Sequence, residues 1–301
     1  MIPSSANGPL SLSHVHKLRH IPRRIVRELR MVAQWLWFSI VNRFGSSPIT
    51  HPGGPIVSLT TFGKRSQKVH LAIESIAVGT ERPSRMILWI DELDLFQNLP
   101  AAIRRLQKRG LEVKFCKNYG PHKKYYPYVE SQELFETPLV TADDDIFYPR
   151  YWLQKLMIAS RVCPNDINCF WAYVIEVSAS GIADYRLWMQ CDSTHSSFLH
   201  LATGMGGVIY PPSFLTRLKL AGSAFEKCCP KGDDLWLHVL AIRNGFKVRQ
   251  ILPRLPYFSF HLIPGTAQTA LSRENVTHGD GNDRQIAATY SQADIQLLLA
   301  D

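Results

Sequence analysis

The chain holds six cysteines, Cys116, Cys163, Cys169, Cys191, Cys228 and Cys229, yet no two form a C-x-x-C pair and none has histidines at zinc-finger spacing. Neither a disulfide frame nor a structural zinc site is supported, and the thiols read as buried residues of a cytoplasmic protein. The patterns G-x-G-x-x-G and G-x-x-x-x-G-K-[ST] are missing as well. That removes the dinucleotide and P-loop ways of seating a phosphate. No repeat or low-complexity tract occurs. No apolar run reaches the about 20 residues of a membrane-spanning helix. The strongest, MVAQWLWFSIV at Met31 to Val41, is roughly half that length, and no small-residue cleavage site follows it.

Acid is scarce at one end. Residues 1 to 50 carry seven Lys/Arg against the single acid Glu28, so +6 of the chain's +9 lies there. The remainder is close to neutral, which excludes a nucleic-acid protein with a basic face running through its fold. Ile21, Ile25, Val26 and Leu29 recur at helical spacing with Arg23, Arg24, Arg27 and Arg30 between them, and the apolar run follows. Arginine-rich turns leading into Trp35, Trp37 and Phe38 suit a helix lying in the headgroup layer of an anionic membrane. Otherwise this helix packs on the domain with its arginines in water.

At 301 residues, with 46% hydrophobic and 20% charged, the chain is long enough for one large α/β domain or two small ones and too balanced to be disordered. After a Pro/Gly-rich boundary at 46–55, strands are expected at 56–61, 85–91 and 111–116, with helices at 68–77, 100–109 and about 128–135. Such alternation implies a mostly parallel sheet with right-handed crossovers.

The richest stretch is PLVTADDDIFYP, from Pro138 to Pro149. Its apolar run reads as a short buried strand that delivers Asp143, Asp144 and Asp145 to a strand's carboxyl end, where ligands bind in open α/β sheets. Adjacent carboxylates raise one another's pKa unless a cation neutralises them. The cluster therefore asks for a hard divalent ion, Mg²⁺ or Mn²⁺, with open positions for phosphate oxygens. Asp233 and Asp234 follow Gly232 and open the amphipathic run Leu235, Trp236, Val239, Leu240 and Ile242. They sit at a helix N-terminus, whose dipole favours the ionised carboxylate.

Six blocks, VSLTTFGKR (57–65), RPSRMILWIDE (82–92), KKYYPYV (123–129), TADDDIFYP (141–149), TGMGGVIYPP (203–212) and KGDDLWLH (231–238), resemble in order those of bacterial glycosyltransferases of the GT-A fold. These enzymes build cell-surface polysaccharides and glycolipids, and are more distantly similar to the exostosin-type catalytic domain. The resemblance covers about residues 55 to 250. It implies a Rossmann-like nucleotide-diphospho-sugar transferase fold and a nucleotide-sugar donor. It also implies a divalent metal on the D-x-D aspartates and a glycan or lipid-linked acceptor. The expected division is a basic N-terminal segment (1–50), a catalytic domain (51–255) and a C-terminal extension packing on it (256–301). The expected location is cytoplasmic, on the inner face of the plasma membrane.

On that resemblance Asp145 ligates the metal and Asp143 shares this with contacts to ribose or sugar, while Asp144 holds the loop or touches sugar hydroxyls. Thr60, Thr61, Arg65 and Asp91 follow the first two strands, where the family seats the nucleotide. Lys123 and Lys124 could meet a phosphate; Tyr125 and Tyr126 beside them either cover a ligand or belong to the core. Gly206 and Gly207, with Gly204, form a wall between donor and acceptor. Asp234, or its neighbour Asp233, takes the proton of the acceptor hydroxyl, and His261 is a possible third metal ligand. Asp184, Tyr185 and Trp188 lie where acceptor pockets are elaborated, and the part played by Asn282-Asp283-Arg284 does not follow from the sequence. The same carboxylates would also serve a metal-dependent nucleotidyltransferase or phosphotransferase, and a non-catalytic sugar-nucleotide-binding protein is the third class.

Overall fold

The computed structural model describes residues 12–254, 260–266 and 281–301, with side chains from residue 25 onward. Parts of the expected C-terminal extension, 256–259 and 267–280, lie outside the described residues. Helix α1 (Leu12–Phe44) precedes the sheet as one continuous element. Strands β1 (Ile56–Thr60), β2 (Arg85–Ile90) and β3 (Leu111–Phe115) then alternate with α2 (Val69–Ala77), α3 (Leu93–Gln97) and α4 (Ala101–Gln107), and α5 (Tyr126–Ser131) leads into β4 (Leu139–Ala142). The expected alternation is present to within a residue or two except at α5, which begins and ends earlier than its apolar pattern. Pro127 accounts for the early start, because its fixed φ suits a first helical turn.

Beyond β4 the order is β5 (Ile146–Phe147), α6 (Trp152–Val162), β6 (Ile167–Cys169) and β7 (Ala172–Val174). Short pieces follow: β8 (Val177–Ser178), β9 (Gly181–Ile182), β10 (Met189–Gln190), β11 (Ser196–Ser197), β12 (His200–Ala202) and β13 (Val208–Tyr210). The chain closes with α7 (Pro212–Ala221), α8 (Phe225–Cys228), α9 (Asp233–Arg243), β14 (Val248–Gln250), β15 (His261–Leu262) and the helices Gly281–Thr289 and Gln292–Leu299.

Eight strands make one central sheet in the order β11-β14-β6-β13-β4-β1-β2-β3. β4, β1, β2 and β3 are parallel neighbours, whereas β13 enters antiparallel between β4 and β6. The sheet is thus mixed, with its parallel half at the β3 side.

Alternate residues of β1 face opposite layers, as the strand repeat requires. Val57 and Leu59 join Val69, Ile73, Ile103 and Leu153 of α2, α4 and α6 on one side. Ile56 joins the layer of Tyr125, Phe214, Val239 and Trp236 on the other. Burial on both faces explains why these strands are near-continuous apolar runs. The C-terminal helices cover α9 through the Arg243–Asp294 ion pair at 2.7 Å and a 2.7 Å contact between His238 Nδ1 and the Tyr290 hydroxyl. Cys116, Cys169, Cys191 and Cys229 are buried, Cys163 and Cys228 half-buried, and all six thiols are free.

Candidate active site

The parallel register brings the carboxyl ends of β1, β2 and β4 side by side: Leu59 lies opposite Leu88 and Ala142. The segments leaving those strands, Thr61–Gln67, Asp91–Glu92 and Asp143–Asp145, therefore share one edge, as expected for a site in an open α/β sheet. Asp144 turns inward, accepting a hydrogen bond from Thr61 Oγ1 at 2.6 Å and pairing with Arg65 Nη1 at 3.0 Å. The second arm of the same guanidinium pairs with Asp145. Asp143 faces the other way: its Oδ1 is 2.6 Å from Lys124 Nζ, and its backbone N–H donates to the Tyr148 hydroxyl at 2.7 Å.

Lys124 joins this cluster to the second one. Its Nζ is 3.9 Å from Asp233 Oδ2 at the start of α9. Asp234 accepts from the Gly204 N–H at 3.1 and 3.2 Å through its two oxygens. Lys124 and Gly204 are so close that a Cβ on the glycine would stand 2.9 Å from the ammonium. Five carboxylates, Asp143, Asp144, Asp145, Asp233 and Asp234, are thus gathered around the two cations Arg65 and Lys124.

That imbalance sets the electrostatics. Burial, and then the Asp143 charge, push the Asp145 carboxyl up to about 7 despite Arg65. Burial likewise raises Asp144, with Arg65 and Thr61 working against it. Loss of hydration, with Asp233 beside it, lifts Asp234 well above the ordinary carboxylate range. The helix dipole that sequence alone credits with keeping Asp234 ionised is outweighed by these two effects. Loss of hydration works to lower the Lys124 ammonium, but Asp143, Asp233 and Asp234 together hold it well above its usual value.

Neighbouring side chains do different things from one another. Lys124 enters the cluster, whereas Lys123 pairs with Asp91 at 2.5 Å and both are buried. Thr60 donates to the Trp89 carbonyl at 3.0 Å, tying β1 to β2. Tyr125 and Tyr126 are core residues, 1% and 6% exposed. Gly206 and Gly207, at φ of +85° and +90°, turn the chain against Phe170 and Trp152. The Trp152 indole donates to the Gly206 carbonyl at 2.6 Å. Gly204 is the glycine that meets the carboxylates.

Tyr148 and Gly204 belong to the site through their backbone and hydroxyl contacts. Both lie inside the blocks singled out above, but nothing in their residue type announces those contacts. Asp283 explains the C-terminal Asn-Asp-Arg: its carboxylate accepts from the Tyr185 N–H at 2.7 Å, fixing a segment whose rings, Tyr185 and Trp188, lie 4.9 Å apart. Burial and then the Asp234 charge raise the Tyr185 phenol, so this aromatic pair stands beside the second carboxylate cluster.

Comparison with known proteins adds little to this geometry. No family model matches the chain, and no curated protein does. One solved structure, the crystal structure of GalNAc-T7 with UDP, GalNAc and Mn²⁺, is similar over 65% of this chain at 14% identity and a TM-score of 0.45. The alignment spans 41% of that chain's length. A likeness of that degree leaves the chemistry to be argued from the residues themselves.

Among the described residues no three His, Cys, Asp or Glu side chains converge as a ready metal-ligand set. His261, on β15 beside β5, has its Nδ1 2.9 Å from Gln34 Oε1 and is not gathered with Asp143 and Asp145. The donor set nonetheless fits a hard cation. Its oxygens are carboxylates, its negative charge exceeds its positive charge, and burial together with the Asp143 charge raises the Asp145 carboxyl to about 7, a cost that a bound cation would offset.

Proposed function

We propose that the chain is a metal-dependent glycosyltransferase of the GT-A type, moving a sugar from a nucleotide-diphosphate sugar to a hydroxyl of a cell-envelope glycan or glycolipid at the cytoplasmic face of the membrane. One observation carries the reading: three carboxylates at the carboxyl end of β4 and two at the start of α9 meet around Arg65 and Lys124, an excess of negative charge that a cation would offset.

Asp145 and Asp143 would hold Mn²⁺ or Mg²⁺; His261, in contact with Gln34 and apart from that pair, would have to leave that contact to join them as a third ligand. The ion supplies charge stabilisation for a departing diphosphate. Arg65 and Lys124, now neutralising aspartates, are the cations that could turn to phosphate oxygens once a metal takes those carboxylates. Thr60, Thr61, Asp91 and Lys123 shape the nucleotide side, and Asp144 fixes the loop through Thr61. Gly204, Gly206 and Gly207 separate donor from acceptor. The acceptor oxygen forms the new bond to the anomeric carbon, the bond from that carbon to the diphosphate breaks, and the acceptor proton goes to Asp234. Only the ionised form of Asp234 can take that proton, a form that Lys124 and the Gly204 N–H favour, and Asp233 adds negative charge opposite the developing oxocarbenium centre. Tyr185 and Trp188 offer a stacking face for an acceptor sugar.

The test is a thermal-shift panel of nucleotide sugars with and without Mn²⁺. A bound ligand at a hundredfold excess over its Kd stabilises by about 2.7 kcal/mol, and one nucleotide should stabilise only when metal is present. The two carboxylate clusters also favour a second reading, two-metal nucleotidyl or phosphoryl transfer. Pyrophosphate release rather than nucleoside diphosphate release would select it. A chain that binds a nucleotide sugar and releases nothing would be the non-catalytic binder.

A further inference from the structure

Helix α1 has two apolar faces, and the fold uses one. On the inner face Phe38 is buried and stacks on Phe147 with centroids 5.6 Å apart. Asn42, also buried, donates to Glu74 at 3.0 Å and accepts from Arg105 at 2.8 Å. The sequence pattern groups Phe38 with Trp37 as one aromatic anchor, but the fold separates them, Phe38 inward and Trp37 outward.

The opposite face is uncovered. Ile25, Leu29, Val32, Leu36, Trp37 and Ile40 are each at least half exposed, from 50% at Leu36 to 64% at Leu29. Successive helical residues turn by about 100°, so Leu36 and Ile40 both stand about 160° from Phe38. From Ile25 to Ile40 the stripe runs about 23 Å at the helical rise of 1.5 Å. A contiguous apolar surface of this kind marks an interaction site.

We infer that this outer face of α1 docks the protein on an anionic lipid surface, the helix lying flat in the headgroup layer. Three observations select lipid. The segment that carries the stripe holds a net +6, and Arg27, Arg30 and Arg43 are exposed along it with Glu28 as the only acid. Each such cation near an anionic leaflet contributes about 1 kcal/mol. A second copy pairing through the same face would instead bring +6 against +6. No described helix is long and apolar enough to cross a membrane, so the stripe can lie in an interface and not span it. Because the inner face is fixed to α2 and, through Phe147, to the strand that follows Asp145, docking sets how the carboxylate cluster is presented to the surface. The inference stands apart from the transferase reading, since it concerns binding without substrate.

The experiment is flotation of the full chain with vesicles of phosphatidylglycerol and phosphatidylcholine, against pure phosphatidylcholine, at low and high salt. The parent should float with the anionic vesicles, less so in high salt, and leave the neutral ones largely unoccupied. L36E combined with I40E should reduce anionic-vesicle partitioning by roughly tenfold or more, since it takes two apolar side chains off the face and sets two negative charges against the anionic leaflet, and W37Q should give a smaller loss. All three substitutions fall on exposed positions, so melting temperatures should match the parent's. A parent that ignores anionic vesicles overturns the proposal, as does a double variant that floats like the parent. So does a variant that melts much lower, because the face would then be packed. A parent dimer in sedimentation that L36E/I40E dissociates assigns the face to a second copy and equally overturns it.

Discussion

Two of the groups of buried charge among the described residues are built differently. Behind α2, Glu74 has no exposed surface and is matched by Arg109 at 2.5 Å and by Asn42 at 3.0 Å, with Arg105 behind the asparagine. At the end of β4 and the start of α9, Asp143, Asp144, Asp145, Asp233 and Asp234 lie around Arg65 and Lys124. The Glu74 group has a counter-charge for its acid and joins α1, α2 and α4, which is what a scaffold needs. The aspartate group has more carboxylates than cations paired with them, and the raised Asp145 and Asp234 carboxyls follow from that excess together with burial. Balance of buried charge, rather than burial or acidity alone, separates support from site.

The sharpest way to break this contrast is to remove a charge from each group. Asp145→Asn should abolish metal-dependent nucleotide binding, read by titration calorimetry, while the melting temperature without metal stays the same or rises, because a repulsive carboxylate is gone. Asp234→Ala should lower kcat by about 10²–10⁴, the usual worth of a positioned base, with donor affinity nearly unchanged, read by steady-state kinetics against donor titration. Glu74→Ala should do the reverse. It should cost about 3–5 kcal/mol of stability, the usual consequence of orphaning a buried partner, read by denaturant unfolding, and the folded fraction should keep the parent's donor affinity. If Glu74→Ala were harmless and Asp145→Asn unfolded the chain, the assignments of support and site would be exchanged.

A gentler test uses pH. The folded-state pKa of Asp145 is raised from its ordinary value to about 7, so proton binding favours the folded state. Without metal, the Asp145 contribution to stability, read as the difference between parent and Asp145→Asn, should be fully present below the ordinary carboxylate range and be lost as pH rises through about 7. Proton and metal compete for the same oxygens, so Mn²⁺ affinity should rise by about tenfold per pH unit below pH 7 and level off above it. Mn²⁺ affinity that is flat from pH 5.5 to 8 would remove Asp145 from the metal's surroundings.

The same contrast shows what could be read from the sequence. The aspartate cluster is legible because an apolar strand and a run of acids adjoin, and the start of α9 at Asp233 is legible because Gly232 and an amphipathic run flank it. The β-α alternation up to β4 follows from apolar periodicity. The entry of β13 antiparallel does not, since a three-residue strand carries too little pattern, and the two- and three-residue strands between 172 and 202 share that limit. Lys123 and Lys124 look alike in sequence, but only the fold tells that one is locked to Asp91 and the other bridges two acidic groups. Gly204 likewise sits among glycines whose separate contacts, with carboxylates or with Trp152, depend on distant elements. Phe38 and Trp37 part company for the same reason: Phe147, more than a hundred residues away, decides which of them faces inward.

The most direct test of the central claim is the product released from a nucleotide sugar by the full chain, with Mn²⁺ and again with a chelator in its place. The account predicts release of the nucleoside diphosphate, by transfer to an acceptor or slowly to water, that needs the metal and disappears in Asp145→Asn. Release of pyrophosphate, or of nucleoside diphosphate at the same rate with chelator as with Mn²⁺, would contradict it.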